Sequence, residues 1–449
     1  MKFQQKKRMI IVAILLILSL YWILRLERIL KNLTTSYKAP TKKPVQLKFP
    51  PHCGSGYVVP EGEKVAVKST KTVLLSAYRE HRTGQNEVRV ISVMLREKTE
   101  AYRCHLCCQE KLHISKSVTS LHSDHFGFKY GTADIMCPVP SDCETPSHIA
   151  VTSAADDSED KLDKEFFEVK NQKSNSGSFP YNFTLCLSAM FDFTNVLQLV
   201  QSLEMVQLLG VNRVAIYKTN CSSEAQRILD YYTHKGLVEV IPWSLSRFLN
   251  VSRGWLPEHG PGDLHYFGQI AALNDCVYRY MYQSRYVALH DIDELILPQT
   301  VDSWLELFPL LQKKYDHECY IFENNVFPST NFSPPTSKLL WNNVTGVNIL
   351  AQLYHIPLNE KTKYDDYKII VNPRGVFSAT VHGLLSSQND CSWVDRNIAR
   401  MYHTRAGTKT ELKPDQLIYD DRLLSYSTHL IQTVNTVLKE SGFLNETSV

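Results

Sequence analysis

Tyr286-Val287-Ala288-Leu289-His290-Asp291-Ile292-Asp293-Glu294-Leu295-Ile296-Leu297-Pro298 is the stretch on which the fold turns. Three acidic residues interrupt an otherwise apolar run. Such a run reads as a strand buried on both faces. A carboxylate carried into those surroundings is costly unless it is paired or bound to a metal. Asp291 and Asp293 are two residues apart, and at a strand end that spacing turns both side chains the same way. Two hard oxygen donors there suit Mg²⁺ or Mn²⁺ carrying a diphosphate. A solvated acidic turn would leave the same pattern, so the reading depends on what surrounds it.

Upstream, strands and helices alternate from residue 181. Phe183 to Met190 (FTLCLSAM) and Val211 to Tyr217 (VNRVAIY) read as strands. Between them Val196, Leu199, Val200 and Leu203 keep helical spacing, with Gly210 as a stop. Ser223 is a candidate N-cap for a helix ending near Gly236. Leu237 to Ile241 is a third strand, Phe267 to Gln283 a helix, and Tyr286 to His290 a fourth strand. Alternation of this kind predicts an α/β fold, a mostly parallel sheet with helices on both faces. Ligands of such sheets bind beyond the carboxyl ends of the strands. Asp291 and Asp293 fall at such a position.

The N-terminal half has another character. Residues 71–78 and 87–95 are β-rich, with turn residues Arg82-Thr83-Gly84-Gln85-Asn86 between them. A small β-rich domain over 61–150 is expected, without a catalytic constellation. Residues 151–180, acidic and rich in Ser and Asn, read as a flexible linker or loop. The catalytic domain is assigned to 181–430 and a C-terminal tail to 431–449.

Met9 to Leu24 is an uninterrupted apolar segment behind Lys2, Lys6, Lys7 and Arg8. It is short against the ~20 residues of an ordinary span. No small-residue cleavage site follows it, so a single transmembrane signal-anchor is favoured over a cleaved signal peptide. Residues 1–8 would be a cytosolic tail and 25–60 a proline-punctuated stem. The body would then be lumenal, in a single-pass type II protein of the Golgi membrane, to whose thinner early-secretory bilayers short spans are suited. Seven N-x-[ST] sequons, at Asn32, Asn182, Asn220, Asn250, Asn331, Asn343 and Asn445, agree with that placement. The 11 cysteines leave at least one unpaired. Cys104-His105-Leu106-Cys107-Cys108 contains half of a zinc pattern, but no second half follows, and disulfides are the better reading. Lys and Arg total 49 against 46 Asp and Glu, an excess too small to call for nucleic acid as a partner.

The combination of Cys186 to Phe191 (CLSAMF), Gly210 to Tyr217 (GVNRVAIY), Tyr266 to Cys276 (YFGQIAALNDC), His290 to Glu294 (HDIDE), Lys368 to Arg374 (KIIVNPR), His382 and Tyr402 to Arg405 (YHTR) resembles glycosyltransferase family 92. The resemblance covers roughly residues 183–405. It implies a GT-A type, Rossmann-like fold, a nucleotide-sugar donor and a divalent cation. It further implies an inverting β-galactosyltransferase that extends glycoprotein N-glycans, nearest to vertebrate members that join galactose to galactose by a β1,4 linkage. UDP-galactose and an N-glycan are then the expected partners. Self-association into a homo-oligomer stays open.

Inverting transfer must neutralise the departing diphosphate, deprotonate the acceptor hydroxyl and hold the two in line. Asp291 and Asp293 would hold Mn²⁺ (or Mg²⁺). By analogy with other GT-A enzymes a late histidine completes the shell, His382 before His403. Lys368, Arg374 and Arg405 are candidates for phosphate oxygens; ordinary surface cations are the alternative. Ser188, Met190 and Tyr217 lie at strand ends where a nucleoside would rest, with His403 beside the donor. For the general base, Glu323 and Asp366 lead, with Asp365 an alternative. Trp255, Glu258 and His259, in a Gly/Pro-rich segment, read as an acceptor loop or lid, with Trp255 able to stack on a sugar. Two rival functions remain, a metal-dependent phosphoesterase and a non-catalytic lumenal glycan-binding protein. The first wants a second cluster of Asp and His.

Overall fold

The computed structural model describes residues 25, 53, 56–98, 100–109, 111–156, 164–174, 177–329, 341–359, 364–405 and 410–444. The apolar segment 9–24 and most of the stem lie outside them. No helix among the described residues is long and apolar enough to cross a membrane. The architecture is mixed α/β with strands dominating.

The N-terminal half is a ten-stranded sheet. Its centre is the antiparallel pair Thr72–Glu80 and Glu87–Leu95, joined by the turn at 82–86. These strands are buried on both faces because each face has its own core. Val73, Leu75, Tyr78, Ile91 and Val93 pack against Trp243, Cys276 and Tyr278 of the C-terminal half. Leu74, Ala77, Val88 and Val90 pack against Cys104, Cys137 and Phe167 of their own sheet. A register shift between Leu74 and Ser76 lets Tyr78 share a face with Leu75. Disulfides Cys53–Cys107, Cys104–Cys137 and Cys108–Cys143 fasten this sheet, so the Cys-x-x-Cys-Cys segment pairs with three separate partners and is not half a zinc site.

Two segments depart from expectation. Lys164–Lys170, assigned to a flexible linker, is a strand hydrogen-bonded to Pro146–Ser153 and Thr72–Glu80. Phe166, Phe167 and Val169 are buried there. Three buried apolar side chains outweigh the acidic composition just upstream. Ser427–Glu440, partly assigned to a C-terminal tail, is a helix burying Leu430, Val434, Val437 and Leu438 at helical spacing.

The C-terminal half is built on a seven-stranded sheet. Val238–Pro242, Arg213–Lys218, Tyr181–Met190 and Ser284–Leu289 lie side by side and parallel. Lys368–Val371 joins antiparallel to the last of these. Ser284–Leu289 is buried on both faces as its sequence implies. Tyr286 and Ala288 enter one core, Val287 and Leu289 the other. The flanking helices begin on caps, Asn195 accepting from the Gln198 amide and Ser222, one residue before the expected Ser223, from the Ala225 amide. The expected 267–283 helix is shorter, Gln269–Tyr280. Tyr266 and Phe267 before it take positive φ, 33° and 54°. Disulfide Cys186–Cys276 ties that helix to the Tyr181–Met190 strand. Beyond the acidic turn the chain passes into a second, three-stranded sheet, Glu294–Pro298 beside Ala399–Arg405 beside Asn324–Pro328. Its register sets Glu294 opposite His403.

Candidate active site

A cavity of about 680 Å³ opens at the carboxyl ends of the parallel strands. Asp291, Asp293, Ser188, Lys368, His382, His403, Arg405, Asp366 and Trp255 all line it. Residues from more than two hundred positions of sequence thus meet because several strand ends, two helix starts and the hairpin turn at His382 share an opening.

The acid pair sits in a turn, not on the strand itself, which ends at Leu289. The Glu294 amide donates to the Asp291 carbonyl at 3.2 Å, and the Glu294 carboxylate accepts from the Asp291 amide at 2.7 Å. Thr404 donates its amide and hydroxyl to the Asp293 carbonyl at 2.7 and 2.9 Å. The turn is therefore fixed by backbone contacts, which leaves both aspartate side chains for other work. Each faces a basic side chain. Lys368 Nζ is 2.9 Å from Asp291 and 3.3 Å from Glu294. His403 Nε2 is 3.5 Å from Asp293, and its Nδ1 is 3.7 Å from Glu294.

The charges settle accordingly. Burial works against the Asp291 anion, yet the Lys368 ammonium holds its carboxyl below the usual range. Burial lifts Glu294 to about 7 against the pull of the same ammonium. Burial opposes the His403 cation, but Asp293 and Glu294 raise its pKa. Burial, helped by Lys368, lowers that of His382, so this imidazole is neutral at pH 7. His382 Nε2 lies 3.4 Å from Asp366.

These donors fit a divalent cation by chemistry. Asp291 and Asp293 offer carboxylate oxygens to one cleft, their side chains 36% and 25% exposed, and His382 offers a neutral ring nitrogen. They are not drawn to one point. Among the described residues no three His, Cys, Asp or Glu side chains are gathered around a common metal position.

Three expected residues stand elsewhere. Tyr217 is fully buried and donates its hydroxyl to Asp275. Arg374 donates to the carbonyls of Met281, Ser284 and Arg285 at 2.8, 2.7 and 2.6 Å, so its guanidinium braces a loop and does not line the cleft. Glu323 is buried between Asn325 and Arg396 and does not line the cleft. Asp365, Glu258 and His259 are exposed and also outside the lining. Met190 lines it.

Residues 181–441 match Glycosyltransferase family 92. The chain belongs to glycosyltransferase family 92. Among curated proteins, glycosyltransferase family 92 protein F13G3.3 of Caenorhabditis elegans is 28% identical over 144 residues, 32% of this chain and 28% of that protein. Glycosyltransferase family 92 protein C33H5.2 of the same organism is 24% identical over 119 residues, 26% and 23% of the two chains. The chain spans about a quarter of the length of the curated relatives it matches.

In this family-92 chain several cleft residues carried no assigned role in the sequence. Glu294 was visible within the acidic stretch, yet only the fold shows that it caps the turn and shares Lys368. Tyr266 and Gln269 lie in the Tyr266–Cys276 segment and line the cleft, Gln269 at 3.4 Å from Asp291. Asn195, Gln198 and Asn324 add amides to the wall, and no motif marked them. Backbone strain gives an independent pointer. Ala189, Asp192, Tyr266 and Asp366 hold positive φ of 47°, 43°, 33° and 54°, and all four line the cavity. Non-glycine residues in that region concentrate at functional sites.

Proposed function

We propose that this chain is a metal-assisted inverting galactosyltransferase with a GT-A type catalytic domain, moving galactose from UDP-galactose to a terminal galactose of glycoprotein N-glycans in β1,4 linkage. The single observation that carries the transferase reading is the placement of Asp291 and Asp293 with Lys368 and His403 in one large cleft at the carboxyl ends of parallel strands. That is where a nucleotide diphosphate is held in doubly wound sheets. Galactose and the β1,4 linkage come from the family resemblance alone.

In this reading Asp291 and Asp293, with His382, hold Mn²⁺ or Mg²⁺, which when bound supplies positive charge to the diphosphate. Lys368 and Arg405 add positive charge, and His403, whose pKa is raised by Asp293 and Glu294, adds a proton donor. Ser188 and Met190 face the nucleoside. The acceptor hydroxyl oxygen attacks C1 of the galactose from the side opposite the diphosphate. The C1–oxygen bond to phosphate breaks, its electron pair leaves with UDP, and the configuration at C1 inverts. The hydroxyl proton passes to Asp366, whose carboxylate is 70% exposed beside neutral His382. Glu323, buried away from the cleft, drops out as base.

A Golgi-lumenal body behind a membrane anchor at residues 9–24 completes the proposal. Five disulfides favour an oxidising compartment. Asn182, Asn220, Asn250 and Asn343 are exposed, as glycosylation requires. The deciding experiment is a screen of UDP-sugars against glycan acceptors, with and without Mn²⁺, and with the product linkage determined. Transfer of galactose that stops on chelation and returns with Mn²⁺ supports the whole reading. Transfer of another sugar removes the donor assignment, and undiminished transfer after chelation removes the metal.

A further inference from the structure

One wall of the cleft is unused by the chemistry above. Trp255 lines it, half-buried, in a loop whose neck is pinched shut. The Ser252 hydroxyl accepts from the Gly254 amide at 2.9 Å and donates to the Gly260 carbonyl at 2.9 Å. A Cβ at Gly254 would stand 2.5 Å from the Gly260 nitrogen, so only glycine allows this closure. The indole lies 5.5 Å from the ring of His382. It therefore stands on the Asp366–His382 side of the cleft, where the acceptor must lose its proton.

What holds the indole comes from the other half of the molecule. Phe126, in the turn between strands Val118–Leu121 and Tyr130–Pro138 of the N-terminal sheet, lies 5.0 Å from Trp255. Phe126 holds a positive φ of 51°, a conformation that neighbours must enforce. One neighbour is His265, stacked on Phe126 at 4.3 Å and 16° and set edge-on to Trp255 at 4.8 Å. His265 is 2% exposed and neither ring nitrogen has a hydrogen-bond partner, so it serves here as a flat neutral ring. The same N-terminal turn reaches the hairpin that carries His382, where Thr380 donates its hydroxyl to Asp124. One turn of the N-terminal sheet thus braces both the tryptophan and the histidine of the cleft.

We propose that Trp255 is the face on which the terminal pyranose of the acceptor stacks, and that Phe126 is the positioning residue that sets it. This rests on reading the cleft as a glycosyl-transfer site. A pyranose presents a patch of C–H groups, which an indole face matches in shape and polarity. Stacking discriminates only when the ring is already in place before the sugar arrives. The N-terminal sheet is then part of the acceptor site.

The test uses the full chain, with two binding readouts and one kinetic one. A galactose-terminated biantennary N-glycan is titrated by saturation-transfer NMR without donor, UDP is titrated by calorimetry, and transfer rates give the acceptor KM. Phe126→Ala should weaken glycan binding and raise the acceptor KM roughly tenfold, the loss of one aromatic pair. The Kd for UDP should stay within about twofold. Trp255→Ala should exceed that loss, and Phe126→Tyr should restore the acceptor KM. Wild-type acceptor KM and glycan affinity in Phe126→Ala overturn the proposal, as does a parallel weakening of UDP. Wild-type protein that binds UDP but no glycan also overturns it. Glycan binding that depends on Phe126 in a protein that neither binds UDP nor transfers galactose upholds the stacking face and removes the transferase reading.

Discussion

Two clusters of buried charge, one at the junction of the two halves and one at the carboxyl ends of the parallel strands, are finished to different degrees. At the junction of the two halves Asp275 accepts from the hydroxyls of Tyr78 and Tyr217 and from Arg279, which in turn reaches Glu61 and Glu239. Burial opposes the Asp275 anion, yet Arg279 holds its carboxyl far below the ordinary range. At the cleft the contacts are fewer and longer. Gln269 Oε1, Asn324 Oδ1 and His403 Nδ1 are buried there without a hydrogen-bond partner. Buried polar atoms are normally satisfied, so a group of orphans around a cavity marks where a ligand would complete the network. At the junction the buried carboxylate is held by two hydroxyls and a guanidinium, whereas the cleft leaves several buried polar atoms facing an open cavity.

The sharpest way to break that contrast is one substitution in each cluster. Asp293→Asn should lower transfer by about a thousandfold or more while shifting unfolding stability by less than about 1 kcal/mol. Asp275→Ala strands a buried cation and should cost about 3–5 kcal/mol in denaturant unfolding. If Asp293→Asn unfolds the protein, or leaves transfer intact, the cleft is structural and the comparison collapses.

Two cations six positions apart sharpen it further. Lys368 faces Asp291 in the cleft, whereas Arg374 is spent on three carbonyls. Lys368→Met should cut kcat at least about tenfold, because an uncompensated carboxylate remains where charge must be neutralised. Arg374→Met should leave kcat unchanged and cost about 2 kcal/mol, since three carbonyls, two of them on the buried residues Met281 and Ser284, lose a charged donor. Parallel kinetics and urea melts on the two variants separate the roles.

The junction also carries an acid signature at Glu80. Glu80 is buried, and although burial opposes its charge, hydrogen bonds from Arg82 hold its pKa at about 2. Its folded value lies below the unfolded one near 4.5. The stabilisation is therefore complete above pH 4.5 and is lost as pH falls toward 2, up to about 3 kcal/mol. Glu80→Gln should flatten the stability–pH curve in that window, as read by urea unfolding at stepped pH. A variant whose curve keeps the wild-type slope would remove Glu80 from the acid response.

The same division explains what could be read from the chain and what could not. The acid turn was legible because charge inside an apolar run is a local anomaly, visible without knowing any partner. The parallel strands were legible because short apolar runs and the 3.6-residue spacing of the helices between them are local too. Arg374, Tyr217 and Glu323 were not. Each sits beside a recognisable segment, but where its side chain points is decided by partners far along the chain: the Met281 carbonyl, Asp275 and Arg396. Lys164–Lys170 was hidden by its acidic neighbours, since composition averaged over thirty residues dilutes three buried side chains. Phe126 had no signature at all, because its role exists only once a turn of one sheet meets a loop of another.

Tyr217 yields the smallest effect and the finest cut. As a strand-end residue beside the donor it would touch the nucleoside, and removal of its hydroxyl would raise the KM for UDP-galactose. As a buried donor to Asp275 it supports the junction, one of three groups that stabilise the same carboxylate. Tyr217→Phe removes a single hydrogen-bond donor and keeps the ring, which packs edge-on to Trp243 at 5.0 Å. The expected result is a loss of about 1–2 kcal/mol in stability with the donor KM unchanged. Because Tyr78 and Arg279 still hold Asp275, the loss should fall well short of that for Asp275→Ala. A raised donor KM at undiminished stability would return Tyr217 to the cleft and erase the boundary between the two clusters.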